Sequence, residues 1–256
     1  MDESLLLATG LSKSFGGIKA VNNASIEVKT NSITGLIGPN GAGKTTLFNL
    51  ISRFIEPDQG QVTFAGKSLD QLQSHQVSRS GCVRTFQVAK VLSRLSVMEN
   101  MLLAAPKQLG EDFLQVWFKR DEIRRQEREN KEQAMRILED IGLASKVNDY
   151  AGILSGGQRK LLEIGRALMS SPKLILLDEP AAGVNPTLIA QISEHIIRWN
   201  SQGISFLIVE HNMDVIMSLC DYVWVMAEGT NLADGKPAEI QNNSKVLEAY
   251  LGGPDE

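Results

Sequence analysis

The sequence predicts an α/β fold with a mainly parallel central sheet and flanking helices. Short runs of apolar, often β-branched residues alternate with segments of helical pattern, which is the order typical of parallel sheets. Residues 174–177 (LILL) and 204–209 (ISFLIV) are almost continuously apolar, as expected of strands that helices cover on both faces. A third indication is the strand at residues 32–37, which runs through a glycine-rich turn into a helix from about Gly43.

The remaining elements follow in chain order. An opening polar segment contains two strands, and the turn at residues 56–60 precedes another short strand. The run at residues 222–226 (YVWVM) is predicted to be the last strand, because a turn at residues 228–230 follows it, and residues 247–251 close the chain as a short helix. In full, the predicted strands are residues 5–7, 24–28, 32–37, 61–64, 174–177, 204–209 and 222–226.

The stretch from about residue 98 to residue 140 has a different character. Residues 119–136 (KRDEIRRQERENKEQAMR) mix both signs of charge and favour a helix. This pattern is typical of a solvated helix face supported by ion pairs, and a helical insert that contacts a partner is the alternative. Because the sequence contains no internal repeat, low-complexity tract or proline-rich linker, it predicts one compact unit with a helical insertion.

Charge and cysteine content argue against several classes of protein. The 26 Lys and Arg residues against 30 Asp and Glu residues give a net charge of −4, which disfavours a general binder of nucleic acids or anionic membranes. Cys82 and Cys220 are too few for a disulfide framework or, by themselves, for a four-ligand zinc site, and they favour a reducing cytosol. The N-terminus is acidic, unlike a secretory signal, and every apolar run is far shorter than the ~18 residues that span a bilayer. We therefore expect a soluble, intracellular, globular protein.

A phosphate-binding loop lies between the strand at residues 32–37 and the helix that follows it. Residues 38–45 (GPNGAGKT) fit the pattern G-x-x-x-x-G-K-[ST]. Glycines let successive backbone N–H groups turn toward a polyphosphate, and the start of the helix adds its positive end. Lys44 supplies a mobile charge for the β- and γ-phosphates, and the hydroxyl of Thr45 can bind Mg²⁺. The pattern predicts that the chain binds a nucleoside triphosphate.

Two carboxylates follow the buried strand at residues 174–177. Asp178 and Glu179 lie at its carboxyl end, where open α/β sheets bind their ligands. We expect Asp178 to hold Mg²⁺ through water molecules, and Glu179 to orient or deprotonate the attacking water. The sequence contains no N-K-x-D motif for guanine, which disfavours a GTPase.

Residues 154–158 (LSGGQ) precede a helical run and form a second candidate anion site. Ser155 and Gln158 fit a capping box, S-x-x-Q, with two glycines between them. A capped helix start with backbone amides exposed by glycine attracts anions. Because one subunit has no evident use for two phosphate-binding helix starts on one triphosphate, the sequence suggests a head-to-tail pair of subunits that share two nucleotides.

Together, the GPNGAGKT, LSGGQ and LILLDEP motifs resemble the ATP-binding cassette (ABC) ATPase family, and the resemblance covers nearly the whole chain. It implies a single ABC ATPase domain over residues 1–256 with a P-loop NTPase fold of ABC type. That fold has an N-terminal antiparallel β part and a helical subdomain at about residues 88–172. The resemblance also implies ATP and Mg²⁺ as ligands, and ATP hydrolysis coupled to closure of a dimer.

The resemblance assigns roles to individual residues. Gln87 resembles the Q-loop glutamine that touches Mg²⁺ and senses the membrane partner, His211 resembles the switch histidine that contacts the γ-phosphate, and Phe15 resembles the aromatic residue on which adenine stacks. Asn185 occupies the D-loop position, where many family members have Asp. The implied catalytic residues are Glu179, His211, Gln87 and Lys44, and the implied metal-binding residues are Thr45, Gln87 and Asp178. The implied nucleotide-binding residues are Phe15, Val21, Gly38, Pro39, Asn40, Gly41, Ala42, Gly43, Lys44, Thr45 and Thr46, and those acting on the nucleotide of the second subunit are Leu154, Ser155, Gly156, Gly157 and Gln158.

Within the family, the chain is similar to the ATPases of uptake systems for branched-chain and other neutral or hydrophobic amino acids. The features that carry this similarity are residues 178–186 (DEPAAGVNP), the charged insert at about 107–135 and the ending at 246–252 (VLEAYLG). The similarity implies a second ATPase subunit, either the same chain or a close paralogue, and two integral-membrane permease subunits. It also implies a substrate-binding protein as an indirect partner, no nucleic-acid partner, and a location at the cytoplasmic face of the plasma membrane.

Other functions share part of this pattern. ATPases of urea uptake and of lipopolysaccharide export have some of the same motifs, although the export type generally lacks so long an insert. An ABC ATPase that acts on DNA or ribosomes is disfavoured by the single cassette, the absence of sustained heptads and the net negative charge. A small-molecule kinase on a P-loop scaffold leaves LSGGQ and His211 unexplained.

Overall fold

A computed structural model describes residues 3–85, 91–106 and 120–251 of the chain. It divides into two compact units. The larger unit comprises residues 1–87 and 173–256, and the smaller unit comprises residues 88–172. Among the described residues, no helix is both long and apolar enough to span a membrane.

The N-terminal part of the larger unit is an antiparallel sheet of four strands in the order β2-β1-β4-β5. Its strands β1 and β2 pair along their whole length and meet at a tight turn, where Phe15 pairs with Ile18. They are longer than predicted because residues at their exposed ends lack a strictly alternating pattern but still pair across the hairpin. The strands are β1 (Ser4–Phe15), β2 (Ile18–Lys29), β4 (Gln59–Phe64) and β5 (Lys67–Ser68).

The second sheet of the larger unit has six strands in the order β10-β9-β3-β8-β7-β6. All neighbours in it pair in parallel except β9 and β10, which are antiparallel. Every residue of β3, β7 and β8 is buried, which confirms the mainly parallel sheet predicted from their continuous apolar runs. The strands are β3 (Ile33–Ile37), β6 (Cys82–Arg84), β7 (Leu174–Asp178), β8 (Ser205–Val209), β9 (Tyr222–Ala227) and β10 (Thr230–Gly235).

The prediction that residues 222–226 form the last strand is wrong. After β9 the chain reverses through Glu228 and Gly229, which both have positive φ angles of 49° and 78°. Two such residues form the tight turn that joins antiparallel strands, and β10 pairs back onto β9. The sequence of β10 (TNLADG) is polar and mostly half-buried, so it carries no strand pattern of its own.

Helices flank the sheets of the larger unit and make up much of the described part of the smaller one. In the larger unit they are α1 (Lys44–Ile51), α2 (Ser74–Arg79), α6 (Pro186–Ser201), α7 (Met213–Leu219), α8 (Pro237–Gln241) and α9 (Ser244–Leu251). Among the described residues of the smaller unit they are α3 (Val97–Leu102), α4 (Arg120–Asp140) and α5 (Gly156–Leu168), with short 3₁₀ turns at Ala144–Lys146 and Ala151–Ile153.

One hydrophobic core joins the two sheets of the larger unit around α1. Leu47 and Phe48 of α1 are fully buried and belong to the same cluster as Leu6 of β1 and Leu176 of β7. The helix that follows the phosphate-binding loop is therefore held by apolar contacts along its length. Burial of a side chain of this size stabilises the fold by ~1.5–3 kcal/mol, so the core restricts movement of α1.

Helix α4 carries the charged stretch of the sequence and is mostly exposed, as predicted for a solvated helix. Only Ala134 and Leu138 of this helix are buried, and Arg125 Nε lies 3.8 Å from Glu129 Oε1 one turn further along the helix. Exposed pairs of this kind contribute only tenths of a kcal/mol. Burial of these two residues and the hydrogen bond from Gln133 Nε2 to Met169 O, at 3.2 Å, therefore contribute more to the packing of this helix than the exposed ion pair does.

Asn100 of α3 is a fully buried polar residue that holds the loop before the helix. Its Oδ1 accepts a hydrogen bond from Leu92 N at 2.9 Å, and its Nδ2 donates to Leu92 O at 3.0 Å and to Ser96 O at 2.9 Å. The buried amide is thus hydrogen-bonded to three backbone groups of this loop.

Replacing this amide tests its structural role. We expect Asn100→Leu to lower the free energy of unfolding by about 2–3 kcal/mol, because three hydrogen bonds between a buried amide and the backbone are lost. Asn242→Ala is the matched control, since the Asn242 amide is exposed and donates to Ala238 O at 2.8 Å; its expected effect is below ~0.5 kcal/mol. Urea denaturation followed by circular dichroism measures both, and equal losses would contradict the prediction.

Candidate active site

The phosphate-binding loop leaves the carboxyl end of β3 and enters α1. Gly38 and Gly43 have φ angles of 150° and 94°. A Cβ atom at Gly38 would lie 2.1 Å from Met226 O, and one at Gly43 would lie 2.4 Å from Ala20 O. No other residue fits these two positions without moving the backbone. The glycines of the motif are therefore required by the close approach of β9 and β2 as well as by ligand access.

Lys44, the first residue of α1, bends back over the loop. Its Nζ donates to Gly38 O at 2.7 Å and to Pro39 O at 2.9 Å. Burial lowers the pKa of Lys44 from its ordinary value, while the negative charge of Glu179 acts in the opposite direction. The ammonium group lies inside the loop, where an incoming phosphate can replace the two carbonyl partners.

The two predicted carboxylates lie at the carboxyl edge of the six-stranded sheet. Asp178 ends β7 and pairs with Val209 of β8, which also pairs with Leu36 of β3. The carboxylates and the phosphate-binding loop therefore leave the sheet at the same edge and on neighbouring strands. This arrangement is the usual ligand site of open parallel sheets.

Glu179 has a left-handed backbone conformation, with a φ angle of 47°. This conformation is uncommon for a residue with a side chain and costs of order 1–3 kcal/mol. The hydrogen bond from Glu179 N to Val209 O, at 2.9 Å, helps to hold it. Its Oε1 lies 3.8 Å from Nδ1 of His211, which follows β8. The structure thus brings together two residues that lie 32 positions apart in the sequence.

Glu210 is a site residue that the sequence analysis missed. Its side chain is fully buried between the loops that follow β7 and β8. Oε1 accepts a hydrogen bond from Ala181 N at 2.6 Å, and Oε2 accepts one from His211 N at 3.2 Å. One carboxylate therefore ties the loop after Glu179 to the backbone of His211. No local pattern distinguishes it from a polar residue at the end of a strand.

Arg84 of β6 is the second residue that the sequence analysis missed. Its NH2 group lies 2.9 Å from Asp178 Oδ2, and both side chains are almost completely buried. The sequence contains no sign of this pair, because 94 residues separate its members. The pairing of β6 with β7 places them side by side.

Two of the predicted nucleotide-binding residues, Phe15 and Val21, lie in the β1–β2 hairpin. The ring of Phe15 is 47% exposed, and Lys13 Nζ lies 5.9 Å from its centre. Ile18, its partner across the hairpin, is 74% exposed. Val21, in contrast, is fully buried in the hydrophobic core, so its side chain is closed to a ligand. Phe15 and Ile18 form an exposed apolar pair at the tip of this hairpin.

The predicted signature segment lies in the smaller unit. Ser155 caps α5: its Oγ accepts from Gln158 N at 3.2 Å, and Gln158 Oε1 accepts from Ser155 N at 3.0 Å. This reciprocal arrangement confirms the predicted capping box. Leu154 is buried, whereas Ser155 and Gly156 are exposed and Gly157 is half-buried.

Two further positions were predicted from the sequence. Asn185 caps α6, since its Oδ1 accepts a hydrogen bond from Leu188 N at 2.9 Å. An amide performs this local task, so the residue has a structural role in addition to the predicted D-loop position. Gln87 lies outside the described residues, and its role remains a prediction from the sequence.

Comparison with protein-family models identifies the family. Residues 21–182 match the model described as "ABC transporter". The chain belongs to this family. Residues 230–256 also match the model described as "Branched-chain amino acid ATP-binding cassette transporter".

Individual relatives of this ABC ATPase are similar over their full length. The "Probable branched-chain amino acid transport ATP-binding protein LivG" of Archaeoglobus fulgidus is 44% identical over 98% of this chain and 96% of its own. The "High-affinity branched-chain amino acid transport ATP-binding protein BraF" of Pseudomonas aeruginosa is 39% identical over 98% of this chain and 99% of its own.

Solved structures show the same fold. A crystal structure of a nucleotide-free ATP-binding cassette from an ABC transporter superposes with a TM-score of 0.84 at 39% identity, over 97% of this chain and 99% of the other. A cassette in its ADP conformation gives a TM-score of 0.83 at 36% identity, over 98% and 99% of the two chains. The ABC fold, nucleotide binding and ATP hydrolysis coupled to transport, predicted from the sequence motifs, are thereby confirmed.

The hydrogen bonds that Glu210 accepts from Ala181 N and His211 N predict a loss of catalysis without loss of binding. We expect Glu210→Ala to lower kcat for ATP hydrolysis by up to about 100-fold, because displacement of reacting groups by about 1 Å has effects of this size. The affinity for ATP, measured with a fluorescent analogue, should stay unchanged because the phosphate-binding loop is intact. Glu210→Gln keeps an acceptor for Ala181 N and should lose less activity. A folded Glu210→Ala protein with wild-type kcat would contradict the proposed tie between the loops.

Proposed function

We propose that the chain is the ATP-hydrolysing subunit of an importer for branched-chain or other neutral, hydrophobic amino acids. It would work through two separate permease subunits at the cytoplasmic face of the plasma membrane, with a substrate-binding protein as an indirect partner. The observation that carries this proposal is the match of residues 230–256 to the branched-chain amino acid cassette model. The printed names of full-length relatives at 39–44% identity support the same substrate class.

The residues of the larger unit fit a nucleotide with Mg²⁺. The glycine loop, the inward Nζ of Lys44 and the start of α1 form a cradle for phosphate oxygens. Thr45 is exposed in the first turn of α1, and Asp178 presents a carboxylate at the same sheet edge. We infer that Thr45, Asp178 and Gln87 hold the metal, directly or through water. Bound Mg²⁺ would neutralise charge that develops on the phosphates.

Glu179 is proposed to act as the general base for the attacking water. Its carboxylate is only partly buried and lies near both Lys44 and His211, so it faces the same space as the phosphate-binding loop. His211 is 61% exposed on its side chain and can donate a hydrogen bond to the terminal phosphate. Phosphoryl transfer to water depends mainly on positioning and charge stabilisation. Lys44 and the loop amides therefore supply most of the remaining stabilisation of the transition state.

Residues 154–158 are proposed to bind the nucleotide held by a second subunit. The capping box uses the lone pair of Ser155 Oγ, so its hydroxyl proton stays available for a phosphate oxygen. Gly156 is exposed at the start of α5, so its backbone is accessible at the helix end where the helix dipole favours an anion. A second copy of the chain or a close paralogue would complete each site, and nucleotide binding would favour the closed dimer.

A variant that binds but does not hydrolyse ATP tests this dimer. We expect Glu179→Gln to abolish turnover, because the general base is lost, and to accumulate an ATP-bound dimer in size-exclusion chromatography with light scattering. Adding Ser155→Arg to the same protein should prevent the dimer while sparing ATP binding, since a bulky cation blocks the end of α5. A Glu179→Gln protein that stays monomeric with ATP bound at high concentration would exclude this arrangement for the isolated subunit.

Uptake in cells tests the proposed substrate. We expect deletion of the gene to reduce uptake of radiolabelled leucine, isoleucine and valine, and the wild-type gene to restore it. The Glu179→Gln gene should fail to restore uptake at equal protein level, since transport requires hydrolysis. Unchanged uptake of all three amino acids, with loss of urea uptake or of lipopolysaccharide export, would replace amino-acid import by one of those functions.

A further inference from the structure

The metal-site carboxylate Asp178 is already paired with a cation inside the larger unit. Arg84 NH2 lies 2.9 Å from Asp178 Oδ2, and the two side chains are only 8% and 5% exposed. A buried carboxylate without a partner is strongly destabilising, so the guanidinium compensates the negative charge of Asp178 within the fold. The contact is a charge-assisted hydrogen bond of ordinary length.

Arg84 is held in place by α1 and the residues just after it, independently of Asp178. Its guanidinium carbon lies 5.0 Å from the ring centre of Phe48 and 5.3 Å from that of Phe54. Its NH1 group donates to Asn49 Oδ1 at 2.5 Å and contacts Ser52 Oγ at 3.2 Å. These contacts fix the guanidinium relative to the helix that begins at the phosphate-binding loop. Arg84 is therefore a stationary charge rather than a flexible surface partner.

Two carboxylates of the site have cations beside them before a nucleotide binds. Asp178 is paired with Arg84, and Glu179 interacts with Lys44 and lies close to His211. Within the described ranges, no group of three or more His, Cys, Asp or Glu side chains could hold a metal ion. Without a nucleotide, a divalent cation would therefore find the Asp178 carboxylate already paired with Arg84 and too few other side-chain ligands. The phosphate oxygens of ATP supply the missing charge and ligands.

We propose that Arg84 is a positioning residue that neutralises Asp178 and thereby makes divalent-cation binding depend on the nucleotide. Arg84 holds the carboxylate at a fixed place beside α1 and cancels its attraction for a free cation. The metal then binds together with the triphosphate, because the negative charge of the phosphates attracts the cation more strongly than the positive charge of Arg84 repels it. This inference rests on the proposed metal role of Asp178.

Removal of the arginine charge tests the proposal without nucleotide. In the wild-type protein, MgCl₂ alone should leave the thermal unfolding midpoint unchanged. Arg84→Met should unfold at a lower temperature, and Mg²⁺ alone should raise its midpoint, because the cation relieves the unpaired Asp178 charge. By mass action, the increase is about 3–6 °C when Mg²⁺ is present at ten times its dissociation constant. Titration with Mn²⁺ followed by electron paramagnetic resonance should show binding at least about tenfold tighter than in the wild type.

Three controls separate this role from general destabilisation. Arg53 is another buried arginine near the end of α1, with a side chain 6% exposed, and it donates to the carbonyl of Asp70. Arg53→Met should lower the midpoint, but Mg²⁺ should not raise it. Arg84→Lys keeps the charge and should resemble the wild type in the Mn²⁺ titration. Arg84→Met combined with Asp178→Asn should lose the response to Mg²⁺.

Several outcomes would overturn the proposal. A folded Arg84→Met protein with no more Mn²⁺ binding than the wild type would do so, as would an equal response in Arg53→Met. If Arg84→Met does not fold, Arg84→Gln replaces it, since glutamine keeps a donor for Asp178 but has no charge, and the same increase in Mn²⁺ binding is expected. ATP hydrolysis by the wild-type protein with and without Mg²⁺ tests the metal requirement separately, so failure of the inference is distinguishable from failure of the proposed function.

Discussion

Parallel pairing of β3, β8 and β7 is the constraint on which the active site depends. Val209 of β8 pairs with Leu36 on one side and with Asp178 on the other. The phosphate-binding loop, the carboxylates and the loop of His211 consequently leave the sheet at one edge. All residues of these strands are buried, so their relative register is strongly stabilised by apolar burial. The rigid sheet in turn supports the left-handed backbone of Glu179, which a mobile loop would relax.

Electrostatic balance is the second requirement of this edge. Asp178 and Glu179 are adjacent carboxylates, and each lies near a cation from a different element: Arg84 comes from β6 and Lys44 from α1. The uncharged backbone amides of the loop and the start of α1 then remain for the phosphates of ATP. Glu210 differs from these two carboxylates, because backbone N–H groups of two loops donate hydrogen bonds to its buried carboxylate. Charge pairing and backbone hydrogen bonding thus hold three neighbouring carboxylates in separate environments.

Features that depend on local chemistry were predictable. The phosphate-binding loop, the capping box of Ser155 and Gln158, and the fully buried strands all follow from patterns within a few residues. Helix α4 was predictable for the same reason, because its mixed charges favour a helix whatever it packs against. Strands β6 and β10 were not predicted, since β6 has three residues and β10 is polar, and both become strands only by pairing with β7 and β9. The family motifs placed Glu179 and His211 in one site, but their separation of 3.8 Å is a property of the fold.

The sequence by itself determined the fold class, the nucleotide-binding loop and the family, because each is encoded by residue types at short, fixed spacing. Tertiary structure alone decided which groups surround the carboxylates. Arg84 and Glu210 acquire their roles from strands that are distant in the chain and adjacent in the sheet. Tertiary packing also buried the side chain of Val21 in the hydrophobic core and left Ile18 exposed beside Phe15. Burial and charge pairing depend on what approaches from other parts of the chain, and no local pattern records such neighbours.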